Sequence, residues 1–97
     1  MKHFMIEITF RVPEEVINQT TPEHRDFLQT GFNAGKLLYS GPKVPRVGGI
    51  VLARAESLEE IQQFFQNDPY VQKGLATYRF VEFNPVFSQK FLEPWLK

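Results

Sequence analysis

The order in which hydrophobic periodicity switches along this chain constrains its fold more than any single residue. From Phe4 to Val12 the pattern has a period of two: Phe4, Ile6, Ile8 and Phe10 point one way, and Met5, Glu7, Thr9 and Arg11 the other, as in a half-buried strand. Pro13-Glu14-Glu15-Val16-Ile17 reads as a short helical turn before the polar stretch Asn18-Gln19-Thr20. A longer helix is then expected from Thr20 or Thr21, with Pro22 in its first turn and Glu23 completing a capping box. Its stripe of His24, Phe27, Leu28, Gly31 and Gly35 recurs at spacings of three and four, and the helix should stop near Gly35. A second strand, Leu37 to Ser40, is ended by Gly41-Pro42. A hairpin of Lys43 to Val47 with Gly48-Gly49 leads to a third strand, Ile50 to Arg54. Ser57 and Glu60 form another capping box, opening a helix that buries Leu58, Ile61, Phe64 and Phe65. Pro69 disfavours helical geometry at Asp68, so that helix ends there or just before. After a turn through Gly74, the fourth strand runs from Thr77 to Asn84, where Pro85 stops it.

The resulting order, β-α-β-β-α-β, is the ferredoxin-like plan: an α+β fold with an antiparallel sheet and two helices on one face. At 97 residues the chain is expected to be a single domain, 1–97, with 86–97 as an apolar tail. Strand four puts Tyr78 and Phe80 on one side and Val81 and Phe83 on the other, while two helices cover only one face. An open apolar face is an interaction surface, so a homodimer joined sheet face to sheet face, a dimeric α/β-barrel, is the expected assembly. The tail, with Phe87, Phe91, Trp95 and Leu96, is too apolar to hang free and should pack on the partner or over the cleft.

Topology gathers the chemistry. With strand one running up, the start of helix one, the end of strand two and the residues just past helix two all lie at the top of the sheet. His24 and Asp68, separated by 44 positions, therefore converge there, together with Ser40, Gly41, the hairpin carrying Lys43 and Arg46, and Phe10. An imidazole with a carboxylate partner is a general acid/base unit, in which the carboxylate fixes the tautomer and stabilises the protonated ring. Taken singly these residues have plainer roles. A histidine in a first helical turn is often a packing residue, Asp before Pro a turn former, Gly41-Pro42 a strand terminator and Arg46 a solvated charge. Their joint placement is what makes them a site. His3, the other histidine, is expected to have no chemical role.

Other classes fit less well. Eleven basic residues balance eleven acidic ones, without the concentrated basic footprint of a nucleic-acid binder. The absence of cysteine removes thiol chemistry, disulfides and cysteine metal sites. One imidazole with scattered carboxylates is a poor metal set, and no cofactor is expected. Serine hydrolysis would need a nucleophile-elbow pattern that Ser40, Ser57 and Ser88 lack, and no phosphate-cradling glycine loop is present. The N-terminus lacks a signal-peptide pattern and no apolar run is long enough to span a bilayer. A soluble cytoplasmic protein, with no membrane or nucleic-acid partner, is the expectation.

An ordered set of short motifs resembles one known family. Pro22-Glu23-His24 with Phe27-Leu28, Ser40-Gly41-Pro42, Gly48-Gly49, Ala55-Glu56-Ser57-Leu58-Glu59-Glu60, Asn67-Asp68-Pro69-Tyr70 and Lys73-Gly74-Leu75 look like the YCII-related family, over nearly the whole chain apart from its end. The resemblance implies dimeric α/β-barrels of ferredoxin-like subunits and a His–Asp active site, mapping onto His24 and Asp68, for small cyclic or aromatic substrates. The hairpin between Pro42 and Gly48 is shorter than the family pattern. Arg11-Val12-Pro13 is also similar to the muconolactone isomerases, which share the barrel plan and widen the substrate class towards lactones.

Three functions are compatible with these residues. The first is an isomerase, or a lyase working by elimination. In it His24 is base and then acid, Asp68 its orienting partner, Ser40 and the Gly41 backbone contact a substrate oxygen, and Arg46 or Lys43 holds a carboxylate. Phe10, Tyr70 and tail aromatics wall the pocket. The second is a non-catalytic ligand-binding or accessory module using the same rim. The third is a structural dimerisation module.

Overall fold

Alternation in the first strand decides which side of the sheet is the core. In the computed structural model, which describes residues 1–97, β1 spans Lys2–Phe10, and its Phe4, Ile6 and Ile8 are buried against the helices. The elements that follow are α1 (Glu14–Asn33), β2 (Leu37–Pro42), β3 (Gly48–Ala55), α2 (Leu58–Phe65), the short α3 (Pro69–Gln72) and β4 (Ala76–Phe83). A single 3-10 turn, Lys90–Leu92, then leads into α4 (Glu93–Leu96) in the tail. The four strands pair antiparallel in the order β2-β3-β1-β4, so the expected ferredoxin-like α+β fold is present. Helix-facing Phe4, Ile6 and Ile8 align with Ala53, Val51 and Gly49 on one side, and Ile6 and Ile8 with Phe80 and Tyr78 on the other.

The first helix departs from its expected start. It begins at Glu14, with Pro13 at the N-cap position and Glu14 and Glu15 in the first turn, where acidic side chains complement the helix dipole. The turn read at Pro13–Ile17 and the helix read from Thr20 are one continuous helix, and Pro22 lies inside it. Thr20 and Thr21 are buried rather than capping. Pro22 withholds an N–H from the carbonyl four residues back, that of Asn18, which belongs to an exposed residue and can turn to water. The other end is as expected. Gly35 adopts a left-handed φ of 73°, and its N–H and that of Lys36 donate to the carbonyls of Phe32 and Gly31, a Schellman stop.

Further boundaries differ by a few residues. β1 stops at Phe10 rather than Val12, and β2 continues through Gly41-Pro42. Gly48 and Gly49 belong to β3 rather than the turn, where a Cβ on Gly48 would run into the Ile8 carbonyl. The second capping box forms with a shifted return bond: Ser57 accepts from the Glu60 N–H, while the Glu60 carboxylate accepts from Glu56 N–H. The tail packs neither over the cleft nor against the helices. It lies on this chain's own helix-free sheet face, where the Arg54 guanidinium stacks on Trp95 at 3.9 Å and donates to its carbonyl. The Arg54 contacts and the length of the tail permit this, because α4 reaches back over His3 and Leu52. No helix is long and apolar enough to cross a membrane.

Candidate functional site

A fully buried carboxylate stands at the centre of this site. Asp68 has no exposed surface, and such a group persists inside a protein only when donors surround it. Three do. The Tyr70 N–H donates to Oδ1 at 3.0 Å, so Asp68 caps α3 while Pro69 occupies its first position. Tyr78 OH donates to Oδ2. His24 Nδ1 lies 2.8 Å from Oδ1. A carboxylate only accepts, so Nδ1 carries a proton, and in the neutral imidazole Nε2 is left with its lone pair. That nitrogen has no protein partner and is not sealed from solvent. Tyr70 fixes the ring's plane by stacking on it, with centroids 3.9 Å apart and planes 10° apart. Burial, followed by the facing Asp68 charge, pushes the Tyr78 hydroxyl well above its ordinary value, so it remains a donor.

His24 meets Asp68 by a different route from the one its sequence position suggests. It lies in the third turn of α1, ten residues beyond Glu14 or about 15 Å along the axis, and not in the first turn. The pairing survives because α2 is short. Its eight residues rise only about 12 Å, which leaves the connection to α3 at the height of His24 instead of at the rim.

In front of the ring is a cavity of about 200 Å³, lined by Phe10, His24, Ser40, Gly41, Arg46 and Tyr70 among others. Its space comes from small residues on the helix-facing side of the β2–β3 edge, where Gly49 aligns with Ile8 and Ser40 with Val51. From α1 the stripe Thr21, His24, Arg25 and Leu28 forms the facing wall. The Thr21 hydroxyl donates to Ile17 O at 2.9 Å. With that proton committed, it accepts from Tyr70 OH at 2.7 Å and from Arg46 at 3.3 Å.

Six of the seven expected site residues thus line one cavity, and Asp68 sits immediately behind His24. Two expectations fail. Lys43 does not reach the cavity; it is paired with Glu7 at 3.2 Å, because β-strand alternation sends Glu7 to the other face of the sheet. The tail aromatics line that other face as well. Thr21, Arg25 and Tyr78 were not singled out from sequence. Setting the helix start at Thr20 made Thr21 a capping residue, and a stripe drawn through His24, Phe27, Leu28 and Gly31 left Arg25 on the outer surface of the helix. A signal for Tyr78 was present, since it shares the helix-facing side with Phe80 and opens strand four beside the end of helix two. No group of three or more histidines and carboxylates is arranged to hold a metal ion.

Similarity to known proteins agrees with this architecture. A protein named derivative of benzaldehyde biosynthesis cluster protein C, from Emericella nidulans, is 31% identical over 71 residues, covering 62% of this chain and 72% of that protein. Among solved structures, 5-chloro-2-hydroxyhydroquinone dehydrochlorinase (TftG) from Burkholderia phenoliruptrix, in complex with 2,5-dihydroxybenzoquinone, superposes with a TM-score of 0.69 at 22% identity, over 84% of this chain and 90% of that one. The model of the YCII-related domain matches residues 1–84, every element from β1 through β4, and on that match the chain belongs to the YCII-related family.

Proposed function

We propose that this protein is an enzyme that moves protons on a small single-ring substrate, by isomerisation or by elimination. The observation that carries this reading is the His24 ring itself: it lines the cavity, its Nδ1 is hydrogen-bonded to buried Asp68, and its Nε2 has no partner in the chain. An imidazole held in that tautomer is a base at Nε2. It takes a proton from a substrate carbon or hydroxyl, and the electron pair left behind shifts into the ring system. In an isomerisation the imidazolium returns the proton at another atom. In an elimination the pair forms a double bond as an anionic leaving group departs, and the imidazolium loses its proton to water.

Other residues have supporting roles in this scheme. Asp68 orients the ring and balances its positive charge without taking the proton. Ser40 Oγ contacts a substrate oxygen and Gly41, lacking a side chain, leaves room beside it, while Phe10 and Tyr70 confine the ring. The size of the cavity supports a small substrate, since a cavity of roughly 150 Å³ already accepts benzene. The named ligand of TftG and the name of the Emericella relative both concern ring compounds, which favours a cyclic or aromatic substrate. The working unit in this reading is one domain, 1–97, paired as a homodimer through the helix-free sheet faces.

The test is a screen of hydroxylated and halogenated single-ring compounds, followed by NMR for ring C–H exchange with deuterium or for halide release. With an active compound in hand, His24→Ala should lower turnover by roughly a hundredfold or more while the fold and ligand binding persist. Full turnover by His24→Ala would overturn the assignment.

A further inference from the structure

The charge of the cavity narrows what it takes. Fifteen residues line it; none is Asp or Glu, and two are arginines. The two arginines are not equivalent. Arg46 is held at the wall by Glu14 at 3.1 Å and Asn18 at 2.6 Å, and its guanidinium also approaches Thr21 and the Phe10 ring, so Glu14 balances its charge. Arg25 forms no ion pair with any carboxylate of the chain. It stands one residue from His24, on the α1 stripe that faces the cavity. The nearest buried negative charge, on Asp68, lies behind the His24 ring and is shared among three donors.

From this asymmetry we infer that the cavity selects single-ring anions, carboxylates or acidic phenols, and that Arg25 is the residue that makes the selection. A guanidinium presents paired N–H donors that match a carboxylate in two parallel bonds. At the mouth of a cleft with apolar walls and no competing acid, its field is focused into the cleft rather than cancelled. The roles expected of Arg46 and Lys43 pass to Arg25, because those two cations are already matched by Glu14 and Glu7. Held from this side, the ring would lie against His24 with its charged substituent towards solvent. This inference rests on the cavity being a ligand site, but not on His24 doing chemistry there.

Benzoate and benzamide separate the two issues, being matched in ring and shape but not in charge. Calorimetric or NMR titration of the intact protein should show benzoate binding about tenfold tighter than benzamide, with the preference shrinking as salt is raised. Arg25→Gln should remove most of that preference and leave benzamide affinity unchanged; Arg25→Lys, which keeps the charge, should restore part of it. Arg25 is an exposed helix residue, so these variants are expected to fold, which circular dichroism would verify. Equal affinities in the wild type, no detectable benzoate binding, or an undiminished preference in Arg25→Gln would each overturn the inference. His24→Ala distinguishes this outcome from the acid/base reading: anion preference without His24-dependent turnover would refute only the chemistry. Turnover of neutral rings without anion preference would refute only the selection.

Discussion

Tyr78 shows how much of the site's order depends on one hydroxyl. It donates to Asp68 Oδ2, the carboxylate oxygen that His24 does not use. Removing it would leave that oxygen buried without a donor, and an unsatisfied buried polar group costs about 1–3 kcal/mol. Tyr78→Phe should therefore lower unfolding stability by about that amount, measured by urea titration. It should also release Oδ2 and leave Asp68 held through Oδ1 alone, so the ¹⁵N shifts of the His24 imidazole should report a weakened preference for the Nδ1–H tautomer. A merely structural tyrosine would produce the first effect without the second. Loss of stability with an unchanged imidazole spectrum would thus remove Tyr78 from the positioning role.

At the scale of elements, α1 and the tail carry opposite lessons. Thr20, Pro22 and Glu23 look like a helix start because capping and a first-turn proline are local signals. The chain continues through them because Ile17, Thr21, His24 and Leu28 all gain burial on one face, and this outweighs one missing hydrogen bond at an exposed carbonyl. The tail is held at its far end by Arg54, Trp95 and the sheet beneath. Under it lies His3, buried with Nε2 unpartnered. Burial first, opposed only in part by the Leu96 backbone, and then the positive N-terminus and Arg54, keep its imidazole below the ordinary 6.5. The unfolded chain binds that proton at the ordinary value and the folded chain only at lower pH. Stability is therefore lost as pH falls below 6.5, and the loss is complete below the folded value. Thermal unfolding between about pH 7.5 and 5.5 should show a decrease that is smaller in His3→Phe. Identical pH profiles for the two proteins would exclude His3 as its source.

Considered whole, the molecule leaves an apolar surface that its own tail covers only in part. Tyr39 on the sheet face and Val86, Phe87 and Phe91 in the tail are 62%, 76%, 95% and 79% exposed. Large apolar side chains left this exposed favour burial against a partner, and a standard interface repays that burial at roughly 25 cal/mol per Å². A dimer joined through the helix-free faces, with the partner meeting sheet and tail together, should appear by sedimentation at micromolar concentration. A single species at the 11.3 kDa chain mass would refute it.

The order of strands and helices, the helix-facing side of β1 and the meeting of His24 with Asp68 were legible in the sequence, because periodicity and the direction of each element follow from near neighbours along the chain. The height of that meeting, the tautomer, the partner of each arginine and the resting place of the tail were decided only by the tertiary structure. Those depend on pairs such as Thr21 with Tyr70, 49 positions apart, and Lys43 with Thr9, 34 apart. Such pairs form only after packing has chosen which side chains share a face, and no local pattern encodes that choice.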